Sequence, residues 1–200
     1  MALAVQAVTE PVEVNGGPRQ GEWTYQAYRQ RPDDGNRYEI IDGVLYVAAA
    51  PSPRHQVRLQ SLVFALTGLI REHKLGHLFI APIDLVMPGC TPVQPDALFL
   101  KNENPAHINW DREIEGIPDL IIEVASPSTA GFDRREKQDA YARAGVPEYW
   151  IGDPAALSIE VLVLETDKPR YRSRGVFRDQ DRLPTPALPA LQASVAALLS

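Results

Sequence analysis

Two short apolar-rich blocks, Tyr38-Glu39-Ile40-Ile41 and Val44-Leu45-Tyr46-Val47, flank the pair Asp42-Gly43. A two-residue connection of this type takes the positive backbone angles of a tight turn, so the pattern predicts an N-terminal β-hairpin. Ser52-Pro53 follows, with Ser as N-cap and Pro at the first helical position, where a missing N–H costs nothing. The predicted helix runs to about Lys74. Its apolar positions Leu59, Leu62, Val63, Leu66, Leu69 and Ile70 recur at three- and four-residue steps and form one stripe toward a core, extended by His55 and His73 at its ends.

Further along, His77 to Met87 and Val93 to Leu100 read as strands joined across Pro88-Gly89, and Lys101 to Gly116 reads as a polar loop. The segment Asp119 to Ala125 is almost wholly apolar and predicts a central strand buried on both faces. A helix is expected from Phe132 to Ala144, closed by Gly145. Tyr149 to Gly152, Ser158 to Leu164 and an edge strand at Tyr171 to Val176 complete the pattern, before a Pro-rich stretch from Leu183 to Pro189 and a short apolar C-terminal segment. Upstream, a short helix is expected between Trp23 and Arg31. Residues 1–21 read as a loose leader and 22–200 as a single domain.

Composition narrows the class. The 200 residues carry 20 basic and 26 acidic side chains, a formal net charge of -6, with 44% hydrophobic and 23% charged residues. That describes a globular protein with a real core. The single cysteine, Cys90, cannot form an internal disulfide, which fits a reducing, cytoplasmic setting, and within Pro88-Gly89-Cys90-Thr91-Pro92 it reads as a turn residue. No apolar run is long enough for a membrane span, and no Lys or Arg precedes Gly17 to make a signal peptide. The acidic balance argues against a wholly basic nucleic-acid surface while leaving room for a local positive groove.

The chemistry lies in carboxylates placed where carboxylates are costly. Along Pro118 to Ala125 the side chains alternate, so Asp119, Ile121, Glu123 and Ala125 share one face and Glu123 falls inside an apolar strand. A carboxylate removed from water needs a cation or strong donors. Asp96 heads another apolar strand, and two buried acids on different strands can share one cation. Asp119 cannot join Glu123 on one ion, because four residues of strand separate them by ~13 Å; it is expected instead to bond backbone N–H groups at the strand entry. On the following helix, Lys137, Ala140, Tyr141 and Ala144 share the inward stripe, which brings a lysine toward Glu123. The plainer alternative for each is a structural ion pair for Glu123 and a solvent-reaching side chain for Lys137.

Five blocks in order, Tyr38 to Gly43, Pro51 to His55, Gln94-Pro95-Asp96, Pro118 to Ser128, and Lys137 through Tyr149-Trp150, resemble the bacterial restriction endonuclease family often called Uma-two, within the PD-(D/E)XK nuclease superfamily. The resemblance covers about residues 22 to 190. It implies an α/β (α+β) restriction-endonuclease-like fold, a mixed central sheet flanked by helices, and metal-dependent hydrolysis of phosphodiester bonds in DNA. It makes Asp96 and Glu123 ligands of Mg²⁺ or Mn²⁺, with the Val124 carbonyl as a further ligand. The superfamily lysine is absent two residues after Glu123, where Ala125 stands, and Lys137 takes its role from the next helix. Glu39 resembles the acidic residue contributed by the N-terminal part of such nucleases. His55, Arg54 and Arg134, with Arg58 and Arg135, are candidate phosphate contacts, and a homodimer is expected by analogy with nucleases that cut two strands. Two rival readings remain: a binding or regulatory module that keeps the fold without the chemistry, and a partner protein of toxin-antitoxin type whose buried acids are neutralised by Arg134 or Lys137.

Overall fold

The computed structural model describes residues 11–12, 14, 16–32, 34–48, 50–126 and 130–200. Asp42 and Gly43 adopt φ of 51° and 75°, and this turn closes β1 (Arg37–Ile41) on β2 (Val44–Ala48), as the sequence predicts. The hairpin is preceded by a helix, α1 (Tyr25–Arg29), shorter than the expected Trp23 to Arg31 and capped by the Thr24 hydroxyl. Part of the expected leader is not loose: Val12 N–H donates to Leu45 O (3.0 Å), and Gln20 bridges Val12 O and Leu45 N. Residues 1–10 lie outside the described residues.

The long helix α2 (Pro53–His73) begins where Ser52-Pro53 predicts, with the Ser52 hydroxyl accepting from His55 N–H. Leu59, Leu62, Leu66 and Ile70 are buried along it, while His73 is exposed and does not extend the apolar stripe. Lys74 ends the helix in the left-handed conformation.

The region read as two strands is four: β3 (Gly76–Ile80), β4 (Asp84–Met87), β5 (Cys90–Val93) and β6 (Ala97–Lys101). The supposed polar loop contains two more, β7 (His107–Ile108) and β8 (Glu113–Glu115). Then come β9 (Leu120–Val124), β10 (Glu148–Asp153), β11 (Ser158–Leu164) and β12 (Tyr171–Arg178). Between β9 and β10 the chain runs through α3 (Ala130–Phe132), a π-helical turn over Asp133–Lys137 and α4 (Gln138–Ala144), ended by Gly145 at φ 93°. The connector residues 127–129 lie outside the described residues. A last helix, α5 (Val195–Leu199), follows the Pro-rich stretch.

The α+β class and the central place of β9 stand, but the strands divide between two sheets. One runs β2-β1-β5-β4-β8-β7 and the other β12-β11-β10-β9-β6-β3. Gln94-Pro95-Asp96 is the break at which the chain leaves the first sheet for the second. β9 is buried throughout and separates two apolar layers. Leu120, Ile122 and Val124 join Leu62, Leu66 and Leu198 beneath α2 and α5. Ile121 and Ala125 join Leu85, Cys90 and Ile114 of the first sheet and Tyr141 of α4. Cys90 is thus a buried strand residue rather than a turn residue, and burial pushes its thiol up to about 12. Burying such runs at about 25 cal/mol per Å² holds the two sheets together. No helix among the described residues is long and apolar enough to cross a membrane.

Candidate active site

Alternation along β9 puts Glu123 on the layer between the two sheets, where it is 4% exposed. β6 pairs antiparallel with β9, Ala97 opposite Ile122, so Asp96 stands one rung further on, beside Glu123. The two acids are locked reciprocally: Val124 N–H donates to Asp96 Oδ2 (2.7 Å), and Asp96 N–H reaches Glu123 Oε2 (3.4 Å).

The first sheet supplies a third carboxylate. Ile41 of β1 faces the shared layer, so Glu39, two residues earlier, faces it too. Its Oε1 accepts from Gln94 N–H (2.8 Å) and from Lys137 Nζ (3.0 Å). Lys137 Nζ also donates to Glu123 Oε1 (2.8 Å), so one ammonium joins a strand of each sheet. Tyr141, one helical turn on, donates its hydroxyl to the same Glu123 oxygen (2.9 Å). The inward stripe of Lys137, Ala140, Tyr141 and Ala144 is buried at every position.

Electrostatics in this layer follow from three carboxylates around one ammonium. Burial pushes the Glu123 carboxyl well up; Lys137 opposes that, while Asp96, Asp133 and Glu39 add to it. Burial alone would pull the Lys137 ammonium down, but Glu123 and Glu39 hold it well above its ordinary value. The lysine therefore stays charged between the Glu123 and Glu39 carboxyls.

Asp96 is the more open of the two strand acids, its side chain 19% exposed. His55, in the first turn of α2, places Nε2 2.9 Å from Asp96 Oδ2. Because an ionised carboxylate only accepts, Nε2 is the donor of that bond, and Nδ1 is buried with no partner among the described residues. Asp96 Oδ1 accepts no hydrogen bond there, and Glu123 Oε2 has only the long contact from Asp96 N–H.

Those two spare oxygens suit a hard divalent cation. Among the described residues no group of three or more His, Cys, Asp and Glu is arranged around one ion. A site with two protein carboxylates is nevertheless what Mg²⁺ commonly uses, its remaining positions going to water and substrate phosphate. Asp96 and Glu123, with the Val124 carbonyl beside them, fit that donor set.

Next to the acids, a cavity of about 500 Å³ opens between the N-terminus of α2 and the ends of β9 and β10, lined by Arg54, Ser52, Ala125, Ser126 and Asp153 among others. Arg54 lines this cavity, which Asp96, Glu123, Glu39 and Lys137 do not line. Arg134 does not join it and pairs with Glu160 of β11. Arg58 is tied to the Leu199 carbonyl, and Arg135 donates to Gly131 O (3.2 Å). Asp119 bonds Lys101 N–H (2.9 Å) and the Asn104 amide (2.7 Å), away from the acids, as a strand-entry residue.

Sequence reasoning missed Tyr141 and Gln94 as site residues. Tyr141 carried a signal, its place on the inward stripe. Gln94 carried only its adjacency to Asp96; its side-chain amide runs to Asp84 Oδ1 (2.8 Å), coupling the site to a second acidic pair, Asp84 and Glu113, that shares the Tyr25 hydroxyl.

Comparison with known proteins gives a family match and a structural match over most of the chain. The model of the Uma2 family, described as "Putative restriction endonuclease", matches residues 25–196. A crystal structure from Anabaena variabilis ATCC 29413, described as "a putative nuclease belonging to DUF820", superposes with a TM-score of 0.70 at 18% identity, covering 88% of this chain and 97% of the other. At that identity the likeness establishes the fold. Among curated proteins none matches the sequence.

Proposed function

The chain belongs to the Uma2 restriction endonuclease family, and from that membership we propose that it is a divalent-metal-dependent nuclease that hydrolyses phosphodiester bonds in DNA. The observation that carries this reading is the reciprocal lock of Asp96 and Glu123 beside a charged, buried Lys137. Asp96, Glu123 and the Val124 carbonyl would hold Mg²⁺ or Mn²⁺. Such an ion polarises a phosphoryl oxygen and lowers the pKa of its bound water.

The chain's own residues do the rest. Lys137 spends two of its three N–H donors on Glu123 and Glu39 and keeps one for the attacking water or a phosphoryl oxygen. Glu39 fixes the direction of that ammonium. His55 holds Asp96 Oδ2 and leaves Oδ1 without a hydrogen bond, and Tyr141 holds Glu123 Oε1 and leaves Oε2 with only the long Asp96 N–H contact. Arg54, which lines the adjoining cavity, would contact a flanking phosphate.

The rival reading, in which internal cations neutralise both acids, predicts Arg134 or Lys137 on Asp96 as well as Glu123. Lys137 instead pairs with Glu123 and Glu39, and Arg134 pairs with Glu160. The deciding experiment is cleavage of single-stranded, duplex and branched DNA with Mg²⁺ or Mn²⁺ and with chelator, using wild type, Asp96→Ala and Glu123→Ala. Metal-dependent cleavage that falls at least about 100-fold in both variants is expected. Lack of cleavage of every DNA, or activity unchanged from wild type in both variants, would reject the proposal.

A further inference from the structure

We propose that the chain self-associates edge to edge through β3, antiparallel, into a homodimer whose sheet is continuous across both copies. A strand at the edge of a sheet presents unpaired N–H and C=O groups, and proteins blunt such edges with short strands, charges, bulges or a covering segment. The two sheets have four edges, β2, β7, β12 and β3, and three of them are managed in these ways. β2 is covered by Pro11 and Val12. β7 is two residues long. β12 carries exposed Arg172, Arg174 and Arg178, and its pairing with β11 is irregular at Val161/Leu162.

β3 has none of these. Its sequence, Gly76-His77-Leu78-Phe79-Ile80, contains no Lys, Arg, Asp, Glu or Pro. The hydrogen-bond phase fixes which groups it leaves open. Leu75 O accepts from Asn102 N–H (3.1 Å) and Ala81 N–H donates to Asp96 O (3.0 Å), so the odd-numbered residues from 75 to 81 direct their backbone groups at β6. Gly76, Leu78 and Ile80 therefore direct theirs outward, and no backbone or side-chain partner takes them among the described residues. The flank of this edge is apolar and solvent-facing. Ile80 is 51% exposed and Trp110 is 71% exposed, its ring centroid 5.6 Å from His77 and 6.2 Å from Phe79.

The occupant that fits is a second copy. An antiparallel pairing about a two-fold axis at Leu78 sets Leu78 against Leu78 and Gly76 against Ile80, so every outward donor meets an acceptor. No like charges oppose each other along the strand, and the contact is isologous and closes at two. Such a pairing has its axis perpendicular to the sheet and keeps corresponding faces on one side. Asp96 lies opposite Ala81, three residues from the axis, and the strand spacings place the two Asp96 residues about 25 Å apart on that face. The value of that spacing for cutting two strands rests on the nuclease reading; the dimer does not.

The test is light scattering on the full chain over a micromolar concentration range, with Ile80→Lys and Trp110→Lys beside wild type and amide hydrogen exchange at Leu78 and Ile80. Wild type should run at twice the 22.1 kDa chain mass, with those amides protected. Each variant should keep its circular dichroism and melting temperature, weaken association about 100-fold, and expose both amides to exchange. A wild-type monomer throughout, or a dimer that both variants leave intact while the Leu78 and Ile80 amides exchange freely, overturns the proposal. Because both side chains are largely exposed, neither variant depends on repacking the core. Loss of DNA cleavage with the dimer intact would count against the nuclease reading alone.

Discussion

Lys137 Nζ lies 2.8 Å from Glu123 Oε1, a contact that ties the helix following β9 back onto the strand it leaves. Removing the cation would leave Glu123 and Glu39 facing each other in a buried layer. Lys137→Met is therefore expected to destabilise the protein by about 3–5 kcal/mol. Adding Glu123→Gln should restore part of that loss, since the Glu123 carboxyl is pushed well up by burial and is better tolerated neutral. A lysine held above its ordinary value contributes its stability fully below its unfolded pKa and loses it only as pH rises through the native one. The penalty of Lys137→Met, read by urea denaturation, should thus persist into mildly alkaline solution.

His55 and Tyr141 each bond the acid oxygen other than the spare one, Asp96 Oδ2 and Glu123 Oε1. Both act as positioning residues, orienting Asp96 and Glu123 respectively. Tyr141→Phe should cost about 1–2 kcal/mol of stability and His55→Ala a similar amount. Each should weaken Mn²⁺ binding about 10-fold, measured by calorimetry, whereas a purely structural role would shift the melting temperature and leave Mn²⁺ affinity alone.

Much of this was legible in the sequence, and the reasons are local. Ser52-Pro53 fixes the start of α2 because a cap and a first-turn proline act within one helical turn. Asp42-Gly43 fixes the hairpin for the same kind of reason. Lys137 could be placed inward because its neighbours on the stripe are Ala140, Tyr141 and Ala144. What was not legible is decided by tertiary packing. Apolar runs around β3 to β6 look alike whichever sheet they join, so nothing marked Gln94 to Asp96 as the crossing between sheets. The π-helical turn at Asp133–Lys137 has no compositional mark, and the meeting of His55 with Asp96 joins residues 41 positions apart.

Asp84 and Glu113 lie side by side on the parallel strands β4 and β8 and share the Tyr25 hydroxyl. Burial pushes the Asp84 carboxyl up, and the neighbouring Glu113 charge adds to this against the hydrogen bonds of Gln94 and Tyr25. A carboxyl with a raised native pKa favours folding below its unfolded pKa, and that contribution is lost as pH rises through the native value. Asp84→Asn should therefore raise the melting temperature at neutral pH, by roughly 2 °C after allowance for partial exposure. The gain should shrink toward zero as pH falls to where Asp84 is protonated in both states. A gain that grows on acidification would show that the pair is not under mutual strain.

The central claim is that Asp96 and Glu123 together hold one divalent ion, and Mn²⁺ binding followed by electron paramagnetic resonance and calorimetry measures it without reference to any substrate. Wild-type protein should bind one Mn²⁺ per chain. Asp96→Ala and Glu123→Ala should each lower that affinity by at least about 30-fold with the fold intact by circular dichroism. A wild-type protein that binds no Mn²⁺, or variants that bind it as tightly as wild type, would contradict the account.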